Sequence, residues 1–347
     1  MKNKYNAIDL TKLIASIFII VVHTSPMLPY SKPGNFILIN ILGRLATPFF
    51  FIATAFFIKK NMIERGDQYL KKYIISLVKL YLIWSLIYLP LGIQWISLNI
   101  DIPWFLYPIA LIVALFYIGT YFHLWFIPAL IFSLLVVYYL KKYMSYKVLM
   151  IISFSLLCLG ALESYYGVIN NTLVLNVIDN YMNIFVTTRN GLFFGMFYVV
   201  CGYYIASNKM DTKYKHYGKL SIISFILVLI EAYSLYDTGS INFNILIMIG
   251  PFTYFLFNYL KGIELKWKLN YTLIRRYSNS FYFVHPIFVG LIPIILDIFG
   301  KADYYNNSGI FRLVTVLLGT IILSYIICNY KKILGWKKDK KDMVLLD

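Results

Sequence analysis

Apolar residues along this chain come in long runs separated by short, mostly basic loops. A helix needs about 20 mostly apolar residues to cross the hydrocarbon core of a bilayer. Ten segments reach that length within boundary error: 10–30, 36–58, 73–95, 122–140, 147–167, 190–207, 219–236, 241–260, 279–299 and 310–330. Helices satisfy their backbone hydrogen bonds internally and are the open-ended solution in lipid, so the expected fold is all-α, polytopic and membrane-embedded. The stretch 103–120 is apolar enough to be an eleventh span, but it runs into the next segment almost without a loop.

Charge distribution chooses between these topologies. The formal net charge is +17, from 32 Lys and Arg against 15 Asp and Glu. With ten spans and the N-terminus inside, 27 of the 32 basic residues fall in inner loops and ends, leaving Lys32, Arg44, Arg189, Lys301 and Arg312 outside or in outer halves. That positive-inside bias places both termini in the cytoplasm. Counting 103–120 as a full span would turn four basic loops and the tail outward, so it is expected to be an outer-face interfacial or re-entrant helix. Basic residues confined to loops between apolar runs also point away from nucleic acid. Composition agrees: 60% hydrophobic and 14% charged, against about 45–50% and about 25% for a soluble domain, exclude a soluble enzyme.

The run 13–22 looks superficially like a signal peptide, but it lacks a small-residue cleavage site and follows Asp9 and Lys12 directly; it is expected to be kept as the first helix. No internal repeat and no long hydrophilic stretch is evident. The expected organisation is one membrane-embedded domain over 1–330 and a basic cytoplasmic tail over 331–347 lying on anionic lipid. Cys158, Cys201 and Cys328 sit in apolar segments without partner spacing, so neither a disulfide nor a metal site is expected.

Ionisable groups inside spans are expensive and are default candidates for function, with buried structural pairing as the bland alternative. Here they are His23, Arg44, Lys79, Glu163, Glu231 and His285, with His123 and Arg189 at outer ends. Lys12 and His23 are eleven residues apart, which returns to within about 20° on a helix, so they share a face about 16 Å apart along the axis. His23 then lies near the midplane, where a neutral imidazole takes a proton from a hydroxyl, and Lys12 lies where an anion enters from the cytoplasm; alternatively His23 bonds a neighbouring helix and Lys12 snorkels. Arg44 and Glu231 fall at similar depths, which admits an ion pair. The other reading turns Arg44 toward His23 to stabilise charge on a transferred acyl group. His285, followed by Pro286, reads as structural or as a site residue.

These residues resemble the membrane-bound acyltransferase family 3, which includes O-antigen, peptidoglycan and exopolysaccharide O-acetyltransferases. The carriers are Lys12-x10-His23 after Ile8-Asp9-Leu10, the segment Gly43–Ile58 (GRLATPFFFIATAFFI), His123-Leu124-Trp125-Phe126, Thr188-Arg189-Asn190-Gly191 through Gly195, and Asn279-Ser280-Phe281-Tyr282 through His285-Pro286. They run in order along nearly the whole chain. The subgroup most resembled is the membrane part of VanT-type serine racemases. Those carry a pyridoxal-phosphate racemase domain after the membrane part, and no such domain is expected before this chain's end at Asp347. Two departures stand out: Thr54-Ala55 replaces the family's Ser-Gly, and lysine at 12 replaces the arginine of many members, giving up a bidentate guanidinium for a point charge.

The resemblance implies O-acetylation in the cell envelope: transfer of an acyl group, usually acetyl, from cytoplasmic acetyl-CoA to a hydroxyl of an extracytoplasmic glycan or lipid-linked sugar. It makes His23 the base or a transient acyl carrier, with Lys12 and Arg44 beside it in the catalytic set. Lys12, Lys72 and Lys79 would attract coenzyme A phosphates, the last two sharing a face one heptad apart. His123, Trp125, Arg189, Asn190 and His285 would meet the acceptor. Lipid snorkelling for Lys72 and Lys79, and an interfacial belt for Trp125, are the competing readings. A rival function is a VanT-like module that transports or senses an amino acid such as serine without catalysis; a third is a structural partner of a separate glycan-assembly enzyme.

Overall fold

A computed structural model of the chain describes residues 5–99, 103–208 and 214–333. Its regular elements are all helical, with no strand among the described residues. The chain begins with α1 (Asn6–Thr24), α2 (Lys32–Phe36), α3 (Ala46–Arg65) and α4 (Gln68–Asn99). It continues through α5 (Tyr107–Val113), α6 (Phe126–Leu140), α7 (Tyr146–Tyr165), α8 (Thr172–Phe185), α9 (Met196–Ser207) and α10 (Tyr214–Leu235). The last elements are α11 (Ile249–Lys261), α12 (Tyr271–Ile298), α13 (Ala302–Asn307) and α14 (Gly309–Ile333).

Among the described residues, seven helical stretches are long and apolar enough to cross a membrane: Asn6–Thr24, Lys32–Arg65, Gln68–Ser97, Tyr146–Val168, Tyr214–Leu235, Tyr271–Ile298 and Gly309–Asn329. The other three expected spans come out shorter, as Phe126–Leu140, Gly191–Ser207 and Ile249–Lys261. At 1.5 Å per residue these reach roughly 20–26 Å, against a hydrocarbon core of about 30 Å. The segment 103–120 is helical but irregular, a 3₁₀ turn, α5 and a π turn (Ala114–Ile118) in succession, ending at Gly119 with φ 84°. The tail from residue 334 onward lies outside the described residues.

One of the shortened spans has a clear physical cause. Residues 241–248 form no helix, and buried backbone outside a helix needs partners in a membrane. The N–H groups of Ile247 and Met248 donate to the Glu231 carboxylate at 2.6 and 2.8 Å, and that of Ile245 donates to Ser164 Oγ at 3.3 Å. Two in-span polar groups thus replace one turn or more of helical hydrogen bonding.

The chain forms two compact units, one of residues up to 47 and from 263 onward, the other of residues 48–262. In the first, α1, α12 and α14 pack around Ile20, Phe281 and Val316, with Leu13 and Ile17 extending the stripe on α1 and Tyr277 and Phe288 that on α12. The positions 13, 17 and 20 recur at helical spacing, so one face of α1 is buried. Ser280 Oγ donates to Ser324 Oγ at 2.8 Å, joining α12 to α14. Gly319 permits their close approach, since a Cβ there would stand 2.6 Å from the Phe288 ring. α1 stops where Ser25 turns left-handed (φ 44°) before Pro26, and Arg312 of α14 donates to the Ser25 carbonyl at 3.2 Å. The second unit closes around fully buried aromatics, among them Phe51, Tyr198 and Phe257.

Candidate functional site

Two histidines meet in the first unit. The His23 ring on α1 stacks on the His285 ring of α12, with centroids 5.4 Å apart and planes 21° from parallel. His285 is fully buried, and its Nδ1 lies 2.7 Å from the Phe281 carbonyl oxygen one turn earlier. A carbonyl only accepts, so Nδ1 carries the proton of that contact and the neutral ring presents its lone pair at Nε2. His23 is partly exposed, which makes it the ring of the pair that a ligand reaches.

Arg44 rides on an irregular stretch of the long run Lys32–Arg65. A π turn over Ile37–Leu42 is followed by a 3₁₀ turn over Gly43–Leu45, the kind of interruption that recurs at functional sites. Gly43 lets this stretch lie against α1: a Cβ there would collide with the side chain of Val22, next to His23. The glycine-arginine pair is therefore fitted to α1 at the level of the histidine.

At the other end of α1, Asp9 is buried and its Oδ2 lies 3.8 Å from Nη1 of Arg275, with Lys12 one turn on. One carboxylate thus stands beside two cations, leaving a net positive end. Arg275 lies within α12 because that helix begins at Tyr271, eight residues before the expected span 279–299. Asn270, whose Oδ1 accepts from the Leu273 N–H at 3.1 Å, is the N-cap signal that marks the true start. Lys72 and Lys79 are exposed on α4, in the second unit, on one face about 10 Å apart along the axis.

A second polar cluster occupies the second unit. The Arg189 guanidinium lies over the Trp125 ring at 4.6 Å and donates to Asn244 Oδ1 at 3.4 Å. Asn244 Nδ2 donates to Glu163 Oε1 at 3.1 Å, and the fully buried Glu163 also accepts from the Thr188 N–H at 2.8 Å and hydroxyl at 2.5 Å. Asn190 caps the π turn Gly191–Gly195, its Oδ1 accepting from the Leu192 and Phe193 N–H groups. Its Nδ2 donates to the hydroxyls of Tyr117 and Tyr181, each at 3.1 Å. Burial pushes the Tyr181 phenol well up from its ordinary pKa, so it stays a hydroxyl. Asn190 is thereby saturated within the chain, whereas Arg189 is only partly buried. His123 is buried among Tyr88, Tyr121 and Phe122, with its ring 4.8 Å from that of Tyr88.

Glu163 and Glu231 serve backbone, hydroxyl and amide donors. Glu231, the residue with which Arg44 was matched by depth, accepts from Tyr165 Oη at 2.6 Å as well as from Ile247 and Met248. Neither it nor Glu163 needs a metal for this, and no group of three or more His, Cys, Asp or Glu is placed to hold one among the described residues.

The family model described as an acyltransferase domain matches residues 5–329. An amino-acid racemase of Enterococcus faecalis is 30% identical over 220 residues, covering 62% of this chain and 30% of the relative. A second E. faecalis amino-acid racemase is 25% identical over 98% of this chain and 48% of its own length. A serine/alanine racemase of Enterococcus gallinarum is 26% identical over 82% of this chain and 41% of its own. The chain spans less than half the length of these relatives. No solved structure matches it. The seven apolar helices and the family model together make this a multi-pass membrane protein. With the match running from the residue before α1 to the last turns of α14, the chain belongs to the membrane-bound acyltransferase 3 family.

Proposed function

We propose that the chain transfers an acyl group, acetyl in the first instance, from cytoplasmic acyl-CoA to a hydroxyl of an extracytoplasmic glycan or lipid-linked sugar. The observation that carries this reading is the stacked His23–His285 pair, with the partly exposed His23 on the same face of α1 as Lys12. His23 takes the proton of the acceptor hydroxyl as its oxygen attacks the thioester carbonyl. The C–S bond breaks, and the thiolate leaves with the proton from the imidazolium. His285 holds the plane of the His23 ring. Lys12, Lys72 and Lys79 draw the donor's phosphates, Arg44 faces charge developing on the acyl oxygen, and Arg189 with Trp125 meets the acceptor, near His123 and Asn190. Residues 1–330 act as one module of ten spans with both termini in the cytoplasm, the three short apolar helices crossing locally thinned or protein-lined membrane, and the tail 331–347 lies on anionic lipid. A dry site also suppresses hydrolysis of the thioester.

The test needs no knowledge of the acceptor. Purified protein in nanodiscs is expected to bind coenzyme A and to turn over radiolabelled acetyl-CoA slowly by hydrolysis or exchange. Folded protein that does neither sinks the proposal. A second reading, transport or sensing of an amino acid such as serine, is favoured by the names of the racemase relatives; serine uptake into proteoliposomes without any acyl-CoA requirement supports it instead.

Gly43 supplies a sharper check on geometry. Gly43→Ala forces the turn bearing Arg44 away from Val22, and a misplacement of about 1 Å at a reacting centre costs on the order of 100-fold in rate. Turnover is expected to fall on that scale with coenzyme A binding intact. Equal losses of binding and turnover would instead mean that the turn supports the fold alone.

A further inference from the structure

Helix α8 belongs to none of the expected spans, and its surface divides into three sectors. At about 100° per residue, Leu175, Ile178 and Met182 fall within about 60° of one another; Ile178 is buried and the other two partly so. Leu173, Val177 and Ile184 fall within about 40° on a second sector, and they are 74%, 69% and 73% exposed. Thr172, Asn176, Asn180 and Asn183, all exposed, fill a third sector about 80° wide. One face meets protein, one is apolar and open, and one carries neutral hydrogen-bonding groups.

Length and position name what covers the open face. Fourteen residues make about 21 Å of helix, and crossing the hydrocarbon would carry the exposed amides of Asn176, Asn180 and Asn183 into it at the cost of their hydration. The helix starts four residues after Val168, where the candidate span Tyr146–Val168 ends, so its first turn stands at a membrane boundary. One side chain fastens the helix to the rest of its unit: the Tyr181 hydroxyl accepts from Asn190. Phe185 stacks on Tyr181 at 4.8 Å.

We infer that α8 lies in the plane of the bilayer interface, with Leu173, Val177 and Ile184 immersed in the lipid and the asparagine row among the headgroups. Its side of the membrane is the outer one, a point that rests on the orientation given under the proposed function. Through Tyr181 and Phe185 the helix ties the Asn190 cap, and so the turn bearing Arg189, to headgroup depth. α8 carries no Lys or Arg, so its hold on lipid comes from apolar burial without attraction to anionic headgroups.

Adjacent residues in different sectors provide the test. Nitroxide labels are placed at Val177→Cys or Asn176→Cys in the full chain with Cys158, Cys201 and Cys328 replaced by alanine, reconstituted in phosphatidylcholine nanodiscs. The Val177 label is expected to be relaxed by oxygen and protected from a water-soluble nickel chelate, the Asn176 label the reverse, with no change when a third of the lipid is anionic. Equal nickel access at both positions overturns the inference, as does protection of Val177 that appears only with anionic lipid. Protection of Val177 from both reagents overturns it too, because it signals a covering protein. The pair Ile184→Cys and Asn183→Cys repeats the comparison farther along the helix, so a label that disturbs one site does not decide the result. An impermeant maleimide on intact cells is expected to reach Asn176→Cys; reaction only in inside-out vesicles overturns the outer placement, and with it the proposed orientation, while the coenzyme A assay reads the chemistry separately.

Discussion

His23→Ala is expected to lower acyl transfer by roughly 10²–10⁴-fold, the usual contribution of a positioned general base, while coenzyme A binds as tightly as before. The separation follows from where the residue stands. His23 is at the end of α1 opposite the Asp9–Lys12–Arg275 group, so its loss removes the proposed base without touching the cations proposed to attract the donor. His285→Ala is expected to give a smaller loss, because it leaves the base in place and removes the ring that lies 5.4 Å from it. Thioester turnover and coenzyme A binding measured side by side for both variants check the order. Full activity in folded His23→Ala protein would exclude it as the base, and a larger loss in His285→Ala would exchange the two roles.

The largest effect on stability is expected at Glu231. Its two oxygens accept from Tyr165, Ile247 and Met248, and Glu231→Ala leaves all three donors without their acceptor. Leaving a buried donor unsatisfied costs about 1–3 kcal/mol, so a combined loss of at least about 3 kcal/mol is expected. Glu231→Gln is the finer probe. Its amide offers one acceptor oxygen and one donor nitrogen, so one of the N–H groups now served by separate oxygens faces another donor. Thermal unfolding in detergent, followed by loss of the monodisperse species, is expected to occur at markedly lower temperature for Glu231→Ala, with Glu231→Gln between it and the native protein. Unchanged unfolding for both would mean that water serves the 247–248 backbone as well as the carboxylate does.

What sequence pattern conveys about this chain is set by range. Apolar run length is a local property, and it locates the seven long helices because each satisfies its own backbone. It fails at 241–248, where the residues are apolar enough but the N–H groups bond to Glu231 and Ser164 from other helices. It also passes over α8, whose three-sided pattern is neither an unbroken apolar run nor a two-faced helix. Among the candidate residues, Lys12 and His23 share a face of one helix, which spacing alone conveys. His285 is 262 residues from His23 along the chain, and only the packing of α1 on α12 brings the rings together. Asn190 looks in sequence like a polar group offered to a ligand. Its actual partners, two tyrosines and two backbone N–H groups, are a matter of turn geometry that no composition reveals.

The unit that holds the histidines is assembled from the two extremes of the chain, which has a consequence for how the protein is made. α1 enters the membrane first, yet its packing partners α12 and α14 are complete only after about 270 and 310 further residues. At about 5–20 residues per second, the interval is roughly 15–60 seconds. Throughout it α1 waits in lipid with its polar face unmatched, which favours prompt capture by a membrane chaperone or by the insertion machinery itself. The middle of the chain, 48–262, is free to fold during that time because its own contacts are already present. The packing around His23 is therefore among the last features completed in biosynthesis, and a nascent chain released before α14 carries His23 without the full set of helices packed on α1.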